Sequence, residues 1–190
     1  MEKWLIPLLI IGGIILIIAI WFITTRNKFV LKKNYIKEAW SSIDVQLKRK
    51  ANVIPNLVDL LKMQTNFEKE TLEKLTAARS GMLAGSNDER MRANDEASKL
   101  LRSFYAVSES YPTLGSNPSF IKVMEEVKDC EDKVTYSRTR YNMTVTDYNN
   151  YLQMFPSNIV GNMMGLKPEK IYEISETLRE SADNIRISEL

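Results

Sequence analysis

The chain has 190 residues, of which 26 are lysine or arginine and 24 are aspartate or glutamate, so its formal net charge is +2. One cysteine and no histidine exclude an internal disulfide framework and argue strongly against a zinc or iron site of the common kind. The small positive excess includes a basic cluster beside the first apolar segment. The rest of the chain therefore has no basic surplus that would indicate a nucleic-acid partner.

The first segment, Trp4–Ile23, is a run of twenty residues without a charge. As a helix it would measure ~30 Å, which matches the hydrocarbon core of a bilayer, and Trp4 and Trp21 would lie at its two interfaces. A buried core helix and a cleaved signal peptide are the alternatives. The flanking charges oppose the first, and the length of the run and the lack of small residues after it oppose the second. Residues 1–26 are therefore predicted to be a transmembrane anchor.

Charge on either side of this segment predicts its orientation. Only one basic residue, Lys3, precedes it, whereas five basic residues follow it before the next acid, Glu38. Because positive charge is retained in the cytoplasm, the short N-terminus should lie outside and the rest of the chain in the cytoplasm. The bases nearest the span should also attract anionic lipid headgroups. The predicted membrane-interface residues are Trp4, Trp21, Arg26, Lys28, Lys32 and Lys33.

Residues 27 to about 64 have the pattern of an amphipathic helix, because apolar residues recur at steps of three, four or seven. No glycine or proline cluster separates this helix from the span, so the two should be nearly continuous. Pro55 should bend the helix and free the carbonyl near Ala51. Lys50 is the one interruption of a stripe formed by Ile36, Trp40, Ile43, Leu47, Ile54, Val58 and Leu61.

Two shorter helices are predicted next, over residues 66–84 and 87–109. Each begins with a capping box, Thr65–Glu68 and Ser86–Glu89, and Gly85 separates the two helices. The apolar rhythm also continues without a slip from the first helix to Arg79, so a single helix through this region remains an alternative.

A second long helix is predicted over residues 118–155, because its apolar stripe alternates steps of four and three. The stripe consists of Phe120, Met124, Val127, Glu131, Val134, Arg138, Tyr141, Val145, Tyr148, Leu152 and Phe155. The two long helices come to ~57–60 Å and the two short ones to ~30–35 Å. These lengths predict an all-α fold, with an elongated antiparallel up-and-down four-helix bundle over residues 27–166 and a partly mobile tail over 167–190.

The segment Phe155–Leu166 has no charged residue and contains several apolar ones. If the second long helix returns to the membrane side, this segment has two interpretations. It is either a short helix folded back onto the bundle or a patch that lies in the lipid headgroup layer.

The run Ala39–Val58, AWSSIDVQLKRKANVIPNLV, resembles the signature of the LemA family of bacterial membrane-anchored proteins. The resemblance extends in order to about Tyr172, although Ser42, Lys50 and Asn52 replace common acidic or arginine residues and Met63 replaces a frequent glycine. It implies a cytoplasmic helical bundle anchored in the bacterial inner membrane, in a family without an established catalytic activity. One branch of that family takes part in building magnetosome membranes. Further matches are Thr71-Leu72-Glu73, Ala78-Arg79, Tyr111-Pro112, Leu114, Glu131, Val134, Arg138, Tyr141-Asn142, Tyr148-Asn149 and Phe155-Pro156.

Charged residues on the inward faces of the helices are the candidates for a site. They could form a carboxylate metal cage or a proton-handling pair, or they could be paired ions that fix the register between helices. We favour the paired ions, because two of the five are arginines and carboxylate cages of the di-iron type normally recruit histidine. No metal, cofactor or catalytic residue is therefore expected. The five residues are Asp44, Glu68, Arg79, Glu131 and Arg138.

The sequence contains no glycine-rich phosphate loop, no Gly-x-Ser-x-Gly turn and no histidine base, so we expect no enzyme activity. The predicted function is a membrane-anchored scaffold or adaptor in membrane organisation or in the assembly of a membrane complex. Its predicted partners are the bilayer and either another protein or further copies of the chain, with no nucleic acid and no small-molecule substrate. A regulatory subunit of a membrane protease or transporter is the alternative.

Overall fold

The computed structural model describes residues 5–63, 69–110 and 116–173, and all regular secondary structure in these ranges is helical. The all-α prediction is confirmed for them. The predictions at Trp4, Glu68 and residues 174–190 lie outside the described residues. The helices are α1 (Leu5–Lys62), α2 (Lys69–Leu83), α3 (Asn87–Ser110), α4 (Pro118–Gln153) and α5 (Ser157–Met163).

Helix α1 is one uninterrupted helix of 58 residues with Pro55 inside it. Its apolar N-terminal part is long and apolar enough to cross a membrane, and only 6% of that apolar window is buried. The predicted continuity between the apolar segment and the following helix is therefore confirmed. Residues 64–68 lie outside the described ranges, and α2 is a separate helix from Lys69 onward.

The chain divides into two compact units, of which the first comprises Met1–Trp40 and Arg140–Ile171. Here α1 packs against the C-terminal part of α4. The ring of Phe29 lies 4.8 Å from that of Tyr151, and the ring of Trp40 lies 5.9 Å from that of Tyr141. From the first of these ring pairs to the second, the residue number rises on α1 and falls on α4. The two helices therefore run in opposite directions within this unit.

Helix α5 folds back onto the first unit and buries Ser157, Val160 and Gly161. Phe155 was expected to continue the buried stripe of α4, but its side chain is 79% exposed. The reason is that α4 ends at Gln153. Phe155 lies beyond the helix, so the helical spacing does not determine the direction of its side chain. After α5 the chain is held by side chains of α4, because the Tyr148 hydroxyl donates to the Lys167 carbonyl at 3.0 Å.

Among the described residues, the second unit comprises those of 41–139 with 172 and 173, and helices α1 to α4 all contribute to its core. The predicted capping box at the start of α3 is present. Ser86 N–H donates to Glu89 Oε2 at 2.7 Å, and Glu89 N–H donates to Ser86 Oγ at 3.3 Å. The core includes Ile43, Leu47, Ile54, Leu57, Leu61, Leu72, Leu75, Met82, Met91, Leu101, Phe104, Phe120, Met124, Val127 and Val134.

Candidate functional site

Polar side chains come together inside the second unit, where α1, α3 and α4 meet. Two of the predicted residues, Glu131 and Arg138, belong to this group, but Asp44 and Arg79 have partners of their own. We call the group the ionic cluster. It consists of Lys50, Asn94, Asp95, Ser98, Glu131 and Arg138.

Lys50 lies at the centre of the ionic cluster and its side chain is fully buried. Its Nζ lies 2.7 Å from Glu131 Oε1, 2.8 Å from Asn94 Oδ1 and 2.8 Å from Ser98 Oγ. Nζ donates hydrogen bonds to Asn94 Oδ1 and Ser98 Oγ, and Glu131 Oε1 is its ionic partner. Burial lowers the pKa of Lys50, and the neighbouring Glu131 carboxylate opposes that shift.

The second ion pair of the ionic cluster joins Arg138 of α4 to Asp95 of α3. Ser98 links this helix to the first pair, because its hydroxyl donates to Glu131 Oε2 at 2.9 Å. The ionic cluster thus contains two cations and two carboxylates, and its formal charges cancel.

The acidic residues that the structure describes do not form a metal site. Within those ranges no three of the aspartate, glutamate and cysteine side chains come together so that they could hold a metal ion. The carboxylates of the ionic cluster are already paired with Lys50 and Arg138. Such an arrangement fixes the register between helices better than it provides open ligands.

Asp44 forms a separate ion-pair group near the start of α3. It accepts a hydrogen bond from Lys48 Nζ at 2.8 Å and pairs with Arg90, whose Nε also donates to the Met82 carbonyl at 2.9 Å. The hydrogen bonds from Lys48 and Arg90 lower the pKa of Asp44. Arg90 thereby connects α1, the end of α2 and the beginning of α3.

Arg79 pairs with backbone and not with a carboxylate. Its Nε donates to the Ala51 carbonyl at 2.8 Å. That carbonyl would normally accept from the N–H four residues later, but Pro55 has no N–H. Arg79 therefore supplies the donor that the proline removes.

The residues predicted at the membrane interface differ in their environments. Trp21 is half-buried, whereas Arg26 and Lys28 are exposed. Lys32 pairs with Asp147, and Lys33 Nζ lies 3.7 Å from Glu169 Oε1. The side chains of Lys32 and Lys33 are thus engaged with carboxylates of the first unit.

Sequence reasoning missed the centre of the ionic cluster. Lys50 interrupts the apolar stripe by its charge, but it follows Leu47 by three residues and precedes Ile54 by four. That spacing places Lys50 on the buried side of α1. On α3, Asn94 and Ser98 fall in the same phase as the buried residues Met91 and Leu101. Periodicity alone, applied without regard to polarity, would have found all three.

The first unit carries a shallow surface groove of about 350 Å³ between α1 and α4. Its lining mixes both charges with apolar groups and contains no nucleophile–base pair. The lining residues are Tyr35, Glu38, Arg140, Met143, Thr144 and Asp147.

Comparison with known proteins gives a match over most of the chain. The model of the LemA family matches residues 39–187, a range that contains every residue of the ionic cluster. Protein LemA from Metamycoplasma hominis is 27% identical over 164 residues, which cover 85% of this chain and 75% of that relative.

Proposed function

The chain belongs to the LemA family, and on this basis we propose that it is a membrane-anchored, non-enzymatic scaffold or adaptor that helps to organise a membrane or assemble a membrane complex. The observation that carries the proposal is the continuity of α1. Its side chains are exposed from Pro7 to Ile20, yet Thr25 and Phe29 are buried against the rest of the first unit. No linker separates an apolar segment of span length from a packed body.

Within this proposal, helices α1 to α4 form an antiparallel up-and-down bundle on the cytoplasmic side of the inner membrane. Two helix pairs support the bundle, because each runs antiparallel. They are α1 with α4 in the first unit and α3 with α4 in the second. The exposed bases Arg26 and Lys28 beside the apolar segment support the orientation.

The ionic cluster supports a structural role more than a catalytic one. Its central cation, Lys50, is fully buried and has three partners, so a substrate could not reach it without opening the core. A catalytic group must contact the reacting atoms.

Photocrosslinking in intact cells tests the scaffold function. A photoreactive amino acid replaces Tyr35 or Met143 at the groove, and an exposed polar residue of α4, Asp132, serves as the control position. A scaffold predicts self-adducts in ladders, or adducts with several membrane proteins, from the groove positions. A single dominant adduct with one protease or transporter would favour a regulatory subunit, and no adduct from either groove position would refute both.

Cysteine labelling tests the orientation. In the full chain, Asp132→Cys should react with a membrane-impermeant maleimide only after the cells are permeabilised. The native Cys130 should not interfere, because it is buried and burial raises the pKa of its thiol. Labelling of Asp132→Cys in intact cells would place this part of the chain outside.

Substitutions of the charged residues test whether the protein is an enzyme. Asp44→Asn and the paired change Lys50→Met/Glu131→Leu should leave the cellular phenotype normal wherever the protein remains folded and membrane-bound. Loss of the phenotype with unchanged thermal stability and membrane content would indicate catalytic chemistry.

A further inference from the structure

The turn after α4 and the short helix α5 carry four apolar side chains that the described residues of the first unit leave exposed. We define the α5 patch as Met154, Phe155, Ile159 and Met163, whose side chains are 61%, 79%, 47% and 71% exposed. Ile159 and Met163 are four residues apart and therefore lie on the same side of α5. The opposite side of α5, with Ser157, Val160 and Gly161, is buried.

The backbone that carries the α5 patch is firmly attached to the first unit. A Cβ at Gly161 would lie 2.5 Å from Leu152 Cδ1 and 3.2 Å from Phe29 Cζ, so α5 lies close to both α4 and α1, and a larger residue here would displace the end of the Leu152 side chain. The helix then ends with Leu166 N–H donating to the Gly161 carbonyl at 3.0 Å and with Gly165 at a φ of +63°. The apolar side chains are thus presented by a defined surface.

Contact with Phe29 gives the position of the α5 patch along α1. Phe29 follows Ile23, the last residue of the apolar run, by six residues, which is ~9 Å along a helix. The headgroup layer on each side of a hydrocarbon core is ~5–8 Å thick, and interfacial segments bury their apolar sides ~5–10 Å into the headgroup and acyl boundary. Phe29 itself would lie just beyond the headgroup layer. Tyr151 packs on Phe29, and from there α4 runs toward the span, so the turn at Met154 lies ~5 Å nearer the hydrocarbon core and at the level of the headgroups.

Charge near the α5 patch fits an anionic lipid surface. Residues 155–166 contain no charged side chain. Exposed bases lie on α1 at Arg26 and Lys28, within three residues of the Phe29 that α5 contacts, and directly after α5 at Lys167. An apolar centre with a basic margin is the pattern of an interfacial membrane contact.

We propose that the α5 patch inserts into the headgroup layer of the bilayer beside the point where α1 leaves it, so that the first unit has a second membrane contact besides the span. This inference rests on the proposed membrane anchoring. It selects the lipid surface as the occupant, because the patch lies at the level where the emerging span meets lipid.

Spin-label accessibility in the full chain tests the inference. The chain is reconstituted in vesicles of phosphatidylcholine and phosphatidylglycerol, with single labels at Met154→Cys or Met163→Cys. Ile17→Cys, in the exposed apolar part of α1, reports on the span, and Asp132→Cys is the water-exposed control. Accessibility to oxygen is compared with accessibility to a water-soluble nickel complex.

We expect the labels at positions 154 and 163 to be more accessible to oxygen than to the nickel complex, like the label at position 17. The label at position 132 should be more accessible to the nickel complex. If the label at position 17 is more accessible to oxygen while both patch labels are more accessible to the nickel complex, the inference is wrong but the proposed membrane span is supported. If Ile17 itself favours nickel, the anchor and the inference both fail. If the patch labels are shielded from both reagents, another copy of the chain covers the patch and the lipid contact is refuted.

Discussion

Removing one charge of the Lys50–Glu131 pair should cost far more stability than removing both. The attraction between the two charges is ~6 kcal/mol, taking their 2.7 Å separation and an effective dielectric constant of ~20. Desolvation of the two ions takes back several kcal/mol, so the net contribution of the intact pair is small. The large loss in the free energy of unfolding comes from a buried charge that has lost its counter-ion.

The structure predicts an order among three variants. Glu131→Gln leaves the Lys50 ammonium fully buried without a counter-ion and should lower the free energy of unfolding by ~3–5 kcal/mol. Lys50→Met should cost less, about 1–3 kcal/mol. It leaves the buried Glu131 Oε1 without its cation, but Ser98 still donates to Oε2 and the Glu131 side chain is 29% exposed, so a small movement brings the carboxylate to water. The double variant Lys50→Met/Glu131→Leu should lie within ~2 kcal/mol of the wild type, in either direction.

Urea unfolding of the full chain in a mild detergent, followed by helical circular dichroism, measures the three free energies. Lys69→Met/Glu73→Leu, which removes an exposed pair on α2, is the matched control and should change stability by less than ~1 kcal/mol. The argument is refuted if Lys50→Met costs more than Glu131→Gln, or if the double variant costs the sum of the two.

The same variants predict a pH dependence. The unfolded chain keeps the proton of Lys50 up to the ordinary pKa of 10.5, whereas the folded chain releases it at a lower pH. Between the two pKa values the unfolded state binds more protons, so the free energy of unfolding rises with pH in that window. The stability of the wild type relative to Lys50→Met should therefore increase as the pH approaches 10.5, and a constant difference would contradict the lowered pKa.

Three further changes have defined outcomes in the same unfolding assay. Gly161→Ala should cost ~1–3 kcal/mol, because the added methyl group would lie 2.5 Å from a side-chain carbon of α4. Arg79→Met should cost ~1–2 kcal/mol by leaving the Ala51 carbonyl without its donor, and less when Pro55→Ala restores a backbone N–H. Asp44→Asn should cost ~1 kcal/mol at neutral pH, and since the folded pKa of Asp44 is lowered, the difference from wild type should disappear as the pH falls below 3.8 through that folded pKa.

Each of these three has a result that would refute it. For Gly161→Ala, a cost no larger than that of Gly12→Ala, where no atom lies within 4 Å of the new methyl group, would show that α5 can move aside. For Arg79→Met, an equal cost with and without Pro55→Ala would separate the arginine from the proline. For Asp44→Asn, a difference that persists well below pH 3.8 would show that the ion pairs are not its cause.

Periodicity predicted most of the helices because each has a buried side with a regular spacing. The stripe of α4 from Phe120 to Leu152 is buried at every apolar position, as expected. It failed at Phe155, where the helix has already ended at Gln153 and side-chain direction depends on a turn. Turn geometry is set by a few local dihedral angles, which a repeat of three and four residues does not encode.

The candidate site was harder to predict than the fold. Glu131 and Arg138 were found because they occupy buried positions of the α4 stripe, but their partners were not. Lys50 was excluded by its polarity, and Asp95 lies beside the buried positions of α3, so its pairing with Arg138 depends on the packing of two helices. A single sequence without known contacts specifies a buried charge but not its counter-ion.

The absence of a hinge in α1 affects how the molecule would respond to bilayer thickness. In the proposed membrane setting, a span longer than the local hydrocarbon core tilts. Phe29 belongs to the same unbroken helix as the span and packs against Tyr148 and Tyr151 of α4. A tilt of the span therefore also turns the end of α4. The angle between the first unit and the membrane plane would then vary with lipid chain length, which a body on a flexible tether would not do.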